Sequence, residues 1–295
     1  MYKLWNANFA RLWMSTTFRV GILVSAVLGL ICPTLGTWFS NKIVALTNGA
    51  LGNYVEKGLS LDYFLFTWVL FLAVYFALHC SCFVGTEYSD GTLRNKIAAG
   101  YSRTEIYMAN YITNAAAGCV LYTIYLITDW CAGRLYIGKI QVFTQKEVML
   151  YILCMYALMV ALAGFFTMLT MLISNEAFSV IFCIGIMVVL LIIPVFQTGG
   201  LQWEECFDDE YMINGITYAA GSANPYYIGG VRRVLSIFFL NFQPGGPLFD
   251  FYCFQGTLGE EQFFVIPEII FLGAAFFAIV PAIAGIALFK RKELK

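Results

Sequence analysis

The sequence predicts an all-α integral membrane protein with six transmembrane helices. Of its 295 residues, 60% are hydrophobic and only 12% are charged, about half the charged share of a soluble domain. Mean hydropathy is +0.76, and six apolar stretches are long enough to cross about 30 Å of hydrocarbon as helices. The whole chain is therefore expected to form one transmembrane domain surrounded by membrane lipids. The six stretches are residues 20–40, 62–86, 106–128, 148–173, 177–197 and 265–289.

The distribution of lysine and arginine predicts that both termini face the cytoplasm. With that orientation, the inner segments hold ten of the seventeen basic residues in about fifty positions, and the outer segments hold seven in about a hundred. The net charge of −1 gives no general attraction to nucleic acid, so no nucleic-acid partner is expected. The inner segments are residues 1–19, 87–105, 174–176 and 290–295.

Two segments outside the spans are expected to contain further helices. Residues 1–18 are too polar for a signal peptide, and their apolar residues are spaced as in an amphipathic helix that lies in the membrane interface. The outer segment 198–264 is expected to form short helices packed on, or dipping into, the outer mouth of the bundle. The apolar residues of the N-terminal helix are Leu4, Phe9, Leu12 and Trp13.

The stretch EYSDGTLRNKIAAGYSRTEI, between the second and third spans, is unusually polar for this chain, because six of its twenty residues are charged. Asp90 or Thr92 is expected to cap a short helix over LRNKIAA. Leu93 and Ile97 would lie on one face of that helix. Gly100 is placed to end the helix in the left-handed conformation.

The next residues form a capping box, Ser102-Arg-Thr-Glu105. Ser102 can accept a hydrogen bond from the third helical amide while Glu105 reaches back to the amide of the serine. The third span is therefore predicted to begin sharply at Ser102. Two interpretations remain open: the caps only terminate a membrane helix, or the capped loop is rigid because it docks on another protein.

This loop resembles the loop between the second and third spans of ABC type-2 permeases, especially those of Firmicutes-type exporters. In that family an acidic residue is followed by Gly-Thr-Leu/Ile-Arg-Asn-Lys, then by Gly-x-Ser-Arg and the next span. The amphipathic N-terminus, the six spans, the large outer segment and the FKRK ending of this chain are also similar to the family. The resemblance implies that segment 87–105 is a coupling helix seated in a groove of a separate ATP-binding subunit. The residues implied for this docking surface are Glu87, Gly91, Thr92, Leu93, Arg94, Lys96 and Arg103.

The same resemblance implies a function. The chain would be the membrane-spanning permease subunit of an ATP-driven ABC exporter in the bacterial cell membrane, working with a second permease copy or a paralogue. ATP and magnesium would be bound by the partner subunit, and this chain would bind no cofactor and catalyse no reaction. The cargo would be an amphipathic peptide, a lipid-like molecule or a drug.

Neither the stretch GRLYIGKI nor the nine cysteines form a complete known binding site. The stretch GRLYIGKI matches a phosphate-binding loop until Ile140 stands where a serine or threonine should bind magnesium, and it is expected to lie in an outer loop. The nine cysteines fit no metal-binding spacing, so no metal site is predicted. A disulfide between Cys206 and Cys253, both in the outer segment, remains open.

Four polar residues within the predicted spans are candidates for a transport pathway or for helix packing. His79 is expected to form an interhelical hydrogen bond, with proton transfer as the alternative. Asn110 and Asn114 share one helix face and either hold helices together or line the pathway. Glu268, near the start of the last span, is either solvated at the outer rim or functional.

Two other classes of function remain open. A membrane-embedded enzyme would need clustered polar residues at one depth of the bilayer and would act without an ATP-binding partner. A non-transporting sensor or scaffold could use the same docking loop, but vesicles containing it and its ATPase would not move cargo. An ion-driven transporter is disfavoured because the spans show neither a chain of ionisable residues nor an inverted repeat.

Overall fold

The computed structural model shows an almost entirely helical protein with one small β-sheet. The helices form a bundle whose core lies between the long spans, and the sheet lies outside that core. The residues described are 2–46, 61–138, 143–201, 203–207, 210–213, 216–256 and 264–292.

The six predicted spans are confirmed within this described part of the chain. Each is a helix long and apolar enough to cross a membrane. The protein is therefore an all-α, multi-pass membrane protein. The spans are Thr16–Phe39, Phe64–Ser89, Arg103–Tyr136, Gln145–Leu172, Glu176–Leu201 and Pro267–Arg291.

The remaining elements include the predicted N-terminal helix, the predicted loop helix, and two helices and a sheet in the outer segment. The sheet is a pair of antiparallel strands that the sequence did not predict. In chain order the elements are α1 (Tyr2–Met14), α2 (Thr16–Leu46), α3 (Leu61–Thr67), α4 (Val69–Ser89), α5 (Thr92–Ala98), α6 (Arg103–Tyr136), α7 (Gln145–Leu172), α8 (Glu176–Leu201), β1 (Tyr211–Ile213), β2 (Ile216–Tyr218), α9 (Gly230–Phe242), α10 (Gly245–Gly256) and α11 (Pro267–Arg291).

Capping boxes fix the starts of α6 and α7. The hydroxyl of Ser102 accepts from the amide of Glu105 at 3.2 Å, and the Glu105 carboxylate accepts from the amide of Ser102 at 2.9 Å. Thr144 and Glu147 repeat this arrangement at the start of α7, at 3.3 and 2.8 Å. The predicted box at Ser102 is thus confirmed, and each box satisfies two amides that a helix start leaves without partners.

Small residues allow α7 and α11 to pack closely. A Cβ atom placed on Gly164 would lie 3.1 Å from the carbonyl oxygen of Ala278. Ala274 and Ala282, one turn to either side of Ala278, are buried. Inside a bilayer, such close backbone approach provides the van der Waals contact that holds helices together.

Apolar side chains remain exposed along the outside of the bundle. Leu23 on α2 is 63% exposed, Ile181 on α8 is 71% exposed and Ile283 on α11 is 64% exposed. Such extended apolar surface is unfavourable in water. The hydrocarbon of a membrane is the environment that suits it.

The bundle has two unlike ends. One of them, called the basic end below, carries α1, α5, the turn between α7 and α8, and the C-terminal end of α11. There Ser89 donates to Glu176 at 2.9 Å, and the ammonium group of Lys292 donates to the carbonyl of Met171 at 2.9 Å. All four predicted inner segments therefore lie together.

The opposite end carries β1, β2, α9 and α10, and side chains of α9 and α10 hold the chain just before the last span. Asn241 donates to the carbonyl of Phe264 and accepts from the amide of Ile266, both at 2.7 Å. Asp250 accepts from the amide of Phe264 at 3.2 Å. These bonds satisfy backbone groups that would otherwise be buried without partners.

Candidate functional site

The loop helix α5 begins at a glycine and not at a capping side chain. Gly91 occupies the N-cap position with φ of 68° and makes no side-chain hydrogen bond to the helix, so the expectation that Asp90 or Thr92 caps it is wrong. Asp90 instead ends α4. The left-handed conformation at Gly91 reverses the chain within one residue, which glycine adopts at little cost.

The end of α5 agrees with the prediction. Gly100 has φ of 89°. Its amide donates to the carbonyl of Ile97 at 2.9 Å, and the amide of Tyr101 donates to the carbonyl of Lys96 at 3.2 Å. These two bonds form a Schellman motif, so α5 is held rigidly between two glycine turns.

One face of α5 packs into the bundle and the other is open. Leu93 is buried, and Ile97 packs against the same core. Arg94 and Asn95 are exposed on the opposite face. The helix can therefore meet another molecule through Arg94 and Asn95 while Leu93 anchors it.

Behind α5 lies a buried carboxylate, Glu87, at the end of α4. Its side chain is 0% exposed and forms ion pairs with Arg11 of α1 and Lys96 of α5. It also accepts from the side-chain amide of Asn110 on α6 at 3.0 Å. One carboxylate thus joins four helices.

The partners of Glu87 also bind one another. Asn8 of α1 donates to Asn110 at 3.1 Å and accepts from Lys96 at 2.8 Å. Arg11 donates to Asn110 at 3.3 Å. These five residues, Asn8, Arg11, Glu87, Lys96 and Asn110, are called the Glu87 cluster below.

The electrostatics of the Glu87 cluster are unbalanced. Two cationic side chains face one carboxylate, so the cluster carries one excess positive charge. Burial lowers the pKa of Lys96, the neighbouring Glu87 carboxylate opposes that shift, and the Arg11 guanidinium adds to it. Removing one partner of a buried ion pair costs about 3–5 kcal/mol because the other charge is left without compensation, so the cluster resists separation of its helices.

A second set of bonds ties the C-terminal end of α11 to the basic end. The guanidinium of Arg103 donates to the carbonyls of Phe289 at 2.7 Å, Lys290 at 3.3 Å, and Lys292. It therefore satisfies carbonyls that a helix end leaves without partners and places a positive charge where the helix dipole favours one.

Lys292, one residue beyond α11, continues this connection. Its ammonium group donates to the hydroxyl of Tyr88 at 3.2 Å and lies 4.4 Å from the centre of the Tyr88 ring. Burial lowers its pKa to about 8. Because Lys292 also reaches the end of α7, four of the spans are joined at the basic end.

The residues implied for docking fall into two groups. Glu87 and Leu93 are fully buried and Lys96 nearly so, and Arg103 is engaged with α11, so these residues support the loop from behind. Gly91 and Thr92 are partly exposed, and Arg94 is exposed. The accessible part of the set is therefore the Arg94 face.

Sequence reasoning missed Asn8 and Arg11. Asn8 lies four residues from both Leu4 and Leu12, which are buried, so it occupies the apolar face of α1. A polar residue in the middle of an apolar stripe was the available signal. Trp13, expected on the same face as Leu4 and Leu12, is 58% exposed and lies apart from these two buried leucines.

The predicted hydrogen bond of His79 is also wrong. The side chain is fully buried, but among the described residues neither ring nitrogen has a hydrogen-bond partner. Its ring lies 5.8 to 6.2 Å from the rings of Phe18, Phe76 and Phe83. The helices that surround His79 therefore present aromatic rings to it.

The other polar candidates occupy ordinary structural positions. Asn114 donates to Thr167 at 2.9 Å and so links α6 to α7, which agrees with helix packing. Glu268 is exposed in the first turn of α11. Cys206 is an exposed free thiol, which gives the disulfide no support, and the side chain of Cys253 lies outside the described residues.

The incomplete phosphate-binding motif lies partly in a helix. Gly133 to Tyr136 belong to α6, so the expectation of an outer loop is wrong for the first half of the motif. Residues 139 and 140 lie outside the described residues. A helical start cannot supply the backbone amides that a phosphate-binding loop needs.

Comparison with known proteins gives this chain no assigned family. No family model matches it, and no curated protein matches it.

Proposed function

We propose that this chain is the membrane-spanning permease subunit of an ATP-driven ABC exporter, coupled through α5 to a separate ATP-binding subunit. The observation that carries the proposal is the Glu87 cluster. It connects a rigid helix with an exposed polar face to two spans and to α1, which is the arrangement that a mechanical coupling element requires.

Force applied to α5 has a direct route into the bundle. The exposed face carries Arg94 and Asn95, and Lys96 on the same helix binds Glu87 of α4. Asn110 of α6 binds the same carboxylate. Since these charges are buried, displacing α5 without moving α4 and α6 would leave a charge uncompensated, at a cost of several kcal/mol.

In the proposed cycle, ATP and magnesium bind to the partner subunit and not to this chain. Closure of the ATP-binding subunits would push α5, and two permease copies, or this chain and a paralogue, would switch between inward and outward access. The basic end would face the cytoplasm of a bacterium, as the distribution of lysine and arginine predicts. The cargo would be an amphipathic peptide, a lipid-like molecule or a drug.

Docking can be tested by reversing the charge of the exposed face of α5. The double variant Arg94→Asp with Asn95→Asp should release the proposed ATP-binding subunit, measured by co-purification from membranes. Leu93 is left unchanged because its substitution would also disturb the core. Arg232→Asp, at an exposed position on α9, is the matched control and should retain the partner.

Undiminished co-purification of the double variant would refute docking through α5. Transport is tested separately, in vesicles that contain the chain and its ATP-binding subunit. ATP-dependent movement of a labelled amphipathic peptide or lipid supports a permease, whereas docking without any movement of cargo would favour a sensor or scaffold.

A further inference from the structure

A second buried carboxylate, Asp129, has none of the partners that surround Glu87. It lies on α6, 26 residues beyond Arg103, or about 39 Å along the helix at 1.5 Å per residue. Its side chain is 0% exposed. Among the described residues, neither of its carboxylate oxygens has a hydrogen-bond partner.

The hydroxyl groups next to Asp129 on α6 are already committed. Thr128 donates to the carbonyl of Ile124 at 2.8 Å and to that of Tyr125 at 3.0 Å. The hydroxyl of Tyr125 donates to the carbonyl of Phe64 at 2.6 Å. These neighbours therefore offer Asp129 no hydrogen.

The helix packed against this part of α6 brings a backbone carbonyl and a thiol to the contact. At the contact, a Cβ atom on Gly29 of α2 would lie 2.9 Å from the amide nitrogen of Asp129. Pro33, inside α2, has no N–H to give to the carbonyl of Gly29, the residue four positions earlier. Cys32 is buried at the same contact, within electrostatic range of Asp129.

A buried carboxylate that accepts no hydrogen bond suits a positive charge. An uncompensated carboxylate inside a protein is strongly unfavourable, and a carbonyl freed by proline is a ready oxygen ligand. One carboxylate balances one positive charge. Among the described residues, no group of three or more His, Cys, Asp or Glu could hold a metal ion, which disfavours a divalent cation.

We propose that Asp129 and the carbonyl of Gly29 bind a monovalent cation, either an alkali ion or an ammonium group, at the contact between α2 and α6. The bound cation compensates the carboxylate and ties the two helices together. This site does not involve the ATP-binding partner. A negative result for cation binding would therefore leave docking through α5 untouched, and failure of docking would leave the cation site untouched.

The test is the thermal unfolding of the purified full-length chain in lipid nanodiscs at constant pH and ionic strength. Sodium, potassium or methylammonium chloride replaces N-methylglucamine chloride, a cation too large for the site. A ligand that binds only the folded state stabilises it, and each tenfold rise in concentration above its Kd adds about 1.4 kcal/mol. We expect the unfolding temperature to rise with at least one of the small cations, and the comparison distinguishes an alkali ion from an ammonium group.

Variants test whether Asp129 is responsible for the cation-dependent rise in the unfolding temperature. Asp129→Asn should abolish the cation-dependent rise, and Asp250→Asn, a matched change at another buried aspartate, should leave it unchanged. If Asp129→Asn does not fold, the wild-type protein alone remains decisive, because equal stability in all four salts would refute the site.

Discussion

Glu87 and Asp129 are both carboxylates with no exposed surface, at different depths of one bundle, yet their surroundings are opposite. Glu87 forms ion pairs with two cationic side chains and accepts a hydrogen bond from a side-chain amide. Asp129 accepts no hydrogen bond from the described residues. The difference separates two uses of a buried charge. A charge whose ion pairs and hydrogen bonds are all made fixes helices relative to one another, and a charge without such partners is free to bind a ligand.

Asp250 on α10 is intermediate between these two. It is 6% exposed and accepts one bond, from the amide of Phe264. Among the described residues, the three carboxylates thus form a series in which the number of donor side chains or amides falls from three to one to none. That series predicts how stability should respond when each charge is removed.

The largest effect is expected at Glu87. Glu87→Gln leaves the partly exposed Arg11 and the largely buried Lys96 beside each other without a counter-charge, so the free energy of unfolding should fall by about 3–5 kcal/mol. The measurement is thermal or denaturant unfolding in nanodiscs. Asp90→Asn, an exposed position on the same loop, is the control and should change little.

A second variant shows whether the loss at Glu87 is electrostatic. Adding Lys96→Met to Glu87→Gln removes one of the two stranded cations and should recover part of the lost stability. If the double variant is no more stable than the single one, repulsion between the cations is not the cause, and the contrast with Asp129 loses its basis.

Asp250 should give a pH-dependent effect. Burial raises its pKa to about 7, with the Phe264 amide opposing the shift, while an unfolded aspartate titrates near pH 4. The folded state therefore holds the proton between about pH 4 and pH 7, and stability should fall as pH rises through that range, by up to about 1.4 kcal/mol per pH unit. Asp250→Asn should flatten this part of the profile; an unchanged slope would contradict the assignment.

A smaller gain is expected at Asp129. In N-methylglucamine salt, where no small cation compensates the carboxylate, Asp129→Asn should raise the free energy of unfolding by about 1–2 kcal/mol, because it removes a buried charge that lacks a partner. The sign is opposite to that at Glu87. A loss as large as that of Glu87→Gln would mean that the two carboxylates do not differ.

The smallest change is expected outside the series, at the capping box. Ser102→Ala removes the acceptor for the amide of Glu105 and should cost about 1 kcal/mol. Ser102→Thr retains the hydroxyl and serves as the control. The loss should appear in thermal unfolding without release of the ATP-binding subunit, since the Glu87 cluster is untouched.

Local signals in the sequence predicted much of the fold. The six spans and the capping box at Ser102 depend on residues close together in the chain, and both are confirmed. Gly100 was recognised for the same reason. The N-cap of α5 was missed because Asp90 and Thr92 are good capping residues, but the left-handed glycine between them set the helix start.

The candidate sites were less predictable because they depend on distant contacts. Glu87 and Lys96 were selected from the family resemblance, but their partner Arg11 comes from a separate helix. His79 was expected to find a polar neighbour, and the helices around it presented aromatic rings. Asp129 was not considered because the third span was expected to end at residue 128, whereas α6 continues to Tyr136.

The hydrogen bond between Asn8 and Asn110 has a consequence for biogenesis. The two residues are 102 positions apart, so α1 leaves the ribosome long before the third span exists. Until that span is inserted, the Arg11 side chain cannot reach its final partners and must remain hydrated at the membrane surface. Nascent chains arrested before and after residue 110 should therefore differ in the protease protection of α1.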